Sequence, residues 1–137
     1  MRAWLKEQGF KEGDLRSPKN YFHRHPMGYA CGKGELNVCK WLHNHGAAPD
    51  ISTENWLGMT PMFIACEEGH LSVCKWLFEV GAAADITKAN NNGATPMYIA
   101  CQKGHLSVCK WLFEVGAAED ITKAENNGST PMWIACE

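Results

Sequence analysis

Residues Thr60 to Ala94 are followed without a gap by a near copy, Thr95 to Ser129, which differs at only six of its 35 positions. Equal sequences in tandem meet equal neighbours, so each copy must adopt the same local structure. The same step backwards from Thr60 reaches His25, and the 35 residues from His25 to Met59 keep 18 letters of the second copy. One further step forward reaches Thr130, and the chain then runs to Glu137. The expected organisation is a partial repeat over 1–24 (second helix and loop), full repeats over 25–59, 60–94 and 95–129, and a truncated repeat, first helix only, over 130–137. In the partial repeat, Trp4, Leu5 and Gly9 match Trp41, Leu42 and Gly46 if the loop behind them is two residues longer. A period of ~20–50 residues marks units that cannot bury their apolar faces alone and must stack on neighbours.

Within each unit the residues punctuate two helices. Thr60-Pro61 supplies an N-cap oxygen and a first-turn proline, which lacks the backbone donor that the first turn leaves unpaired. Gly69 ends this helix, because glycine tolerates the left-handed conformation at a helix C-terminus. A second helix runs through Leu71, Val73, Cys74, Trp76, Leu77, Phe78 and Val80 to Gly81, too apolar all round to stand in water alone. From Ala82 to Gly93 turn formers take over, and an extended loop reaching toward the next helix pair is expected. The fold class is therefore all-α, a solenoid of stacked helix-turn-helix units joined by finger-like loops.

The run Thr-Pro-Met-[Phe/Tyr/Trp]-Ile-Ala-Cys-x-x-Gly-His-Leu, starting at Thr60 and again at Thr95, resembles the ankyrin repeat, whose signature includes T-P-L-H-x-A. The resemblance covers residues 25–137 and extends to the N-terminal helix. It implies a non-catalytic protein–protein interaction module whose concave groove is built from first helices and loop tips. Three departures stand out. The period is 35 instead of about 33, with the surplus pair at Ala83-Ala84 and Ala118-Glu119. Gly28, Phe63, Tyr98 and Trp133 replace the histidine of the motif, so its usual hydrogen bonds are absent. The family's frequent D-V-N appears as Asp50-Ile51-Ser52, Asp85-Ile86-Thr87 and Asp120-Ile121-Thr122, so hydroxylation of that asparagine is not expected.

Charge and cysteine usage bound the function classes. Residues 1–24 carry six Lys or Arg against three acids and residues 25–137 carry seven against twelve, so neither part has the basic excess of a nucleic-acid binder. No stretch approaches the ~18 apolar residues of a membrane span, and the start Met-Arg-Ala-Trp-Leu-Lys-Glu lacks the apolar core of a signal peptide. The seven cysteines fall in two columns, Cys31, Cys66, Cys101 and Cys136 in one, Cys39, Cys74 and Cys109 in the other. Equivalent positions on stacked helices lie ~8–10 Å apart, too far for a disulfide, which needs Cα atoms within about 7 Å. Reduced, buried thiols in a reducing compartment, cytoplasmic or nuclear, are the expectation.

Catalytic and metal chemistry find little footing. There is no Gly-rich phosphate loop, no G-x-S-x-G and no H-E-x-x-H, and the adjacent carboxylates Glu67 and Glu68 become Gln102 and Lys103 in the next copy. No enzyme and no cofactor is expected. His25, His43 and His45 are the one constellation with metal-binding chemistry, but positions i and i+2 of a helix face different ways, and no metal site is expected.

Recognition remains. Of the six differences between the second and third copies, three lie in the first helix, three in the loop and none in the second helix. That pattern fits a variable partner-facing groove, and drift at solvent positions fits it equally. The row Gly28, Phe63, Tyr98, Trp133 either lines the groove with aromatic anchors or forms a packing ladder between repeats. The finger Asn55–Met59 carries Trp56, Leu57 and Met59 where its sisters are polar, and an apolar cluster on a loop tip either marks a contact or folds back onto the loop from Phe10 to Phe22. The candidate partner-binding residues are Trp56, Leu57, Met59, Phe63, Glu67, Glu68, Ala94, Tyr98, Gln102, Lys103, Ser129 and Trp133. Trp4, Trp41, Trp76 and Trp111, each directly before a leucine on a second helix, are expected to pack between repeats. The groove would span ~30 Å and accommodate ~800 Å² per partner. The partner is a protein whose identity the fold does not specify. Self-association through an uncovered C-terminal face is a further expectation, and the competing role is a spacer within a longer solenoid.

Overall fold

A computed structural model describes residues 2–10, 15–16 and 25–117, and these contain helices and turns with no strand. A lone helix α1 (Arg2–Glu7) precedes three helix pairs: α2 (Pro26–Lys33) with α3 (Leu36–Leu42), α4 (Pro61–Glu68) with α5 (Leu71–Leu77), and α6 (Pro96–Gln102) with α7 (Leu106–Leu112). The first helices α2, α4 and α6 stack on one another, and each second helix packs against its own first helix and its neighbours in the second row. The protein is thus an all-α solenoid.

Each pair begins in the same way. Thr60 Oγ1 accepts from the Phe63 amide at 3.1 Å and Thr95 Oγ1 from the Tyr98 amide at 3.2 Å, satisfying donors that a helix start leaves open. In the first pair His25 takes this role, its Nδ1 accepting from the Gly28 amide at 3.3 Å. α2 and α4 stop at Gly34 and Gly69, which sit in the left-handed region at φ 72° and 77°.

Those two glycines also leave room for a tie between repeats. His70 Nε2 lies 3.0 Å from the carbonyl of Gly32, and His105 Nε2 lies 2.9 Å from that of Glu67, so each histidine donates a hydrogen bond to the first helix of the preceding repeat. A Cβ at Gly34 or Gly69 would stand 2.6 Å from the Nδ1 of the histidine above it. Glycine is therefore required twice over, by backbone conformation and by contact.

The segments after the second helices α3 and α5 differ from expectation. The sequence suggests that Ala82 to Gly93 is an extended loop, but its first half is wound. A kinked turn over Phe78–Ala82, with Gly81 at φ 127°, passes into a 3-10 turn over Ala83–Thr87 that contains the surplus pair Ala83-Ala84. The same arrangement occupies His43–Ala47 and Ala48–Ser52. The cause is a buried aspartate in each turn. Asp85 receives the Ser52 hydroxyl of the preceding repeat at 2.6 Å, while Asp50 is gripped by the Arg16 guanidinium at 3.0 and 3.1 Å and by the Thr53 hydroxyl at 3.1 Å. Winding the backbone places each carboxylate where its donors lie, which an extended strand would not do.

One continuous core runs through the stack, with Met27, Leu42, Met62, Leu77, Met97 and Leu112 buried in register. The tryptophan column packs along its second-helix side. His43 meets Trp76 edge-on at 5.6 Å and Phe78 meets Trp111 edge-on at 5.8 Å, each pair crossing from one repeat to the next.

Candidate interaction groove

The finger tips are built by asparagine. Asn55 Oδ1 accepts from the amides of Leu57 and Met59, both at 3.0 Å, and the Asn55 amide donates to the Met59 carbonyl at 3.0 Å, closing a tight loop. Asn90 repeats this with Asn92 and Ala94. Asn91 then joins neighbouring fingers, its amide donating to the Leu57 carbonyl and its Nδ2 to the Trp56 carbonyl, each at 3.0 Å. Lys88 and Glu54 add an exposed ion pair between the same fingers at 3.1 Å. Fixed in this way, the first finger holds Trp56 55 % and Leu57 44 % exposed.

Below these tips lies an open groove of about 750 Å³. Its finger wall is Asn55, Trp56, Leu57, Met59 and Asn90, and its helical wall is Gly28, Tyr29, Gly32 and Lys33 of α2 with Ile64, Glu67 and Glu68 of α4. His25 and His70 complete the lining. Tyr29 is anchored from behind, its hydroxyl donating to Gln8 Oε1 at 3.0 Å and its ring lying 6.0 Å from Trp4 and 5.6 Å from Phe10. Lys33 Nζ stands 5.5 Å from the centre of the Tyr29 ring, a cation–π distance. Partial burial pushes the Glu67 carboxyl above its usual range, opposed by Lys103 and aided by Glu68.

The structure thus brings five of the sequence candidates together around one cavity: Trp56, Leu57, Met59, Glu67 and Glu68. Gln102 and Lys103 are exposed at the end of α6, in the register of Glu67 and Glu68 but outside that cavity. Three candidates are corrected. Phe63 and Tyr98 are only 1 % and 2 % exposed and Ala94 is buried, so none of them can line a groove. Phe63 and Tyr98 sit three residues after their caps, where the side chain enters the space between stacked first helices, and the aromatic row at these positions is a packing ladder. Ser129 and Trp133 lie outside the described residues.

The groove-facing position is one residue further on, at Tyr29 and Ile64. Sequence reasoning missed it, although Tyr29 is the one polar aromatic in a column otherwise occupied by Ile64, Ile99 and Ile134. It also missed Lys33, which stands in register with Glu68 and Lys103 and gives the exposed ends of the first helices alternating charge.

The histidines of the first repeat are engaged separately. His25 Nε2 is 3.1 Å from the Thr53 carbonyl, His45 Nδ1 is 2.7 Å from the Trp41 carbonyl with its ring stacked on Trp41 at 4.2 Å, and His43 faces Trp76. Among the described residues no three His, Cys, Asp or Glu side chains gather as metal ligands. Nor is any helix there long and apolar enough to cross a membrane.

A family model described as ankyrin repeats (many copies) matches residues 22–78 and 63–113. No curated protein matches the chain. The matched residues span most of the sequence and include all three helix pairs, the capped first helices and the histidine ties between them. The chain belongs to the ankyrin repeat family.

Proposed function

We propose that this protein is a non-catalytic interaction module that binds a protein partner through the groove between its finger tips and the first helices α2 and α4. Ankyrin repeats are generally protein-interaction modules, which supplies the class of function. The observation that carries the finer reading is the finger Trp56-Leu57. A tip that is Asn91-Asn92 in the sister repeat here exposes two large apolar side chains, held rigid by Asn55 and Asn91 and directed at a cavity. Rigid aromatic anchors lose little entropy on binding and dominate interface energies. The partner's contribution would be an extended or helical segment with an apolar anchor for this finger. Its charges would alternate to oppose Lys33, Glu68 and Lys103.

Site-specific photo-crosslinking tests this reading. A crosslinker at Leu57 or Glu68 should capture a partner that one at Lys75, on the exposed face of a second helix, does not. Capture with equal yield from Lys75 would place the contact surface elsewhere.

A further inference from the structure

The two cysteine columns meet crosswise inside every described repeat. Cys31 Sγ lies 3.6 Å from Cys39 Sγ, Cys66 Sγ 3.6 Å from Cys74 Sγ, and Cys101 Sγ 3.2 Å from Cys109 Sγ. All six are free thiols, and each pair links the first helix of a repeat to its second. These distances compare with ~2.05 Å for a disulfide bond, so a rotamer adjustment closes much of the gap.

The pairs are not equivalent. Cys31, Cys39, Cys66 and Cys74 are 0 % exposed, whereas Cys101 and Cys109 are both partly open to solvent. Burial first, then the contact with Cys39, raises Cys31 well above the usual thiol range, and the contact with Cys74 followed by burial does the same to Cys66. At the outer pair the thiols separate in character. The Cys101 thiol lies 3.9 Å from Met97 Sδ, to which it donates, leaving Cys109 to donate to Cys101. That hydrogen bond lowers the Cys101 pKa and raises that of Cys109. Thiolate character and access together decide which cysteine reacts.

We propose that Cys101 and Cys109 form a redox-active dithiol, a modification site that takes small disulfides such as oxidised glutathione, while the two inner pairs stay reduced. Cys101, as thiolate, attacks one sulfur of the glutathione disulfide. That S–S bond breaks, and the departing glutathione thiolate takes up the proton released by Cys101. Cys109 then loses its proton and attacks the Cys101 sulfur of the mixed disulfide, expelling the second glutathione, which takes up that proton. Two protein thiols are oxidised to one disulfide, and one glutathione disulfide is reduced to two thiols. The new bond fastens α6 to α7 beside Gln102 and Lys103.

The test incubates the full chain, folded, with excess oxidised glutathione, alkylates the remaining thiols and maps every linkage by mass spectrometry. A Cys101–Cys109 disulfide is expected to form roughly tenfold or more faster than any product at Cys31, Cys39, Cys66 or Cys74. Cys109→Ser is expected to trap glutathione on Cys101, and Cys101→Ser to slow modification of Cys109 by a similar factor, in variants whose helical circular dichroism matches the parent. The parent map decides the matter alone if a variant does not fold. Linkage of Cys101 to Cys136, oxidation of the inner pairs at the same rate, or thiols at 101 and 109 that stay alkylatable throughout would each overturn the proposal.

Discussion

His25 performs the capping that Thr60 and Thr95 perform in the sister repeats, and it does so with a group that titrates. Its Nδ1 accepts from Gly28 and its Nε2 donates to Thr53, which requires the neutral ring. Burial lowers its pKa from the ordinary 6.5, with the Thr53 carbonyl and Asp50 opposing and Arg16 assisting. Because the folded value is depressed, the unfolded chain takes up the proton first on acidification. The stabilisation is complete above the unfolded value and is lost as pH falls below it. Between pH 7.5 and 5.5 the urea midpoint should therefore fall further for the parent than for His25→Thr, which keeps a cap that cannot titrate. Burial separates two aromatic positions as sharply. Phe63→Ala should destabilise by about 3–5 kcal/mol and Trp56→Ala by clearly less, both read by chemical denaturation. The sequence could not make this distinction, since both residues are large, apolar and peculiar to their positions.

At the scale of the element, helices were legible and connections were not. Thr60-Pro61, Thr95-Pro96 and the closing Gly34 and Gly69 mark helix ends through local backbone chemistry, which a sequence displays directly. The wound segments Ala48–Ser52 and Ala83–Thr87 depend on a partner in another repeat, so no local reading finds them. Ser52 and Asp85 show why: their 2.6 Å bond joins residues that are 33 apart in the chain. Removing the donor in Ser52→Ala leaves a buried carboxylate without that partner and should cost about 1–3 kcal/mol, measured by equilibrium unfolding. His105→Ala breaks the tie to the Glu67 carbonyl and should cost about 1 kcal/mol by the same measurement. Combined, the two changes should add nearly independently if they share no partner.

Across the whole molecule, identical residues and altered residues divide the labour. The shared letters build a core and a histidine tie between successive described helix pairs, α2/α3 to α4/α5 and α4/α5 to α6/α7. Of the altered letters, those on the first helices at Glu67, Glu68, Gln102 and Lys103 are solvent-accessible, whereas Phe63, Tyr98 and Ala94 turn inward. The groove itself was half legible. Its finger could be seen as an apolar interruption in a polar tip, but Tyr29, Ile64 and Lys33 join it only because stacking brings α2 and α4 under that finger. Protein interfaces in general bind through a few anchors surrounded by near-neutral contacts, and the proposed anchors here are Trp56 and Leu57. The most direct measurement is the affinity of the double variant Trp56→Ala, Leu57→Ala for the partner captured from the groove. Calorimetry should show affinity weakened by about tenfold or more while the variant still unfolds cooperatively at a temperature well above that of the measurement, and an affinity equal to the parent's would contradict the assignment of the groove.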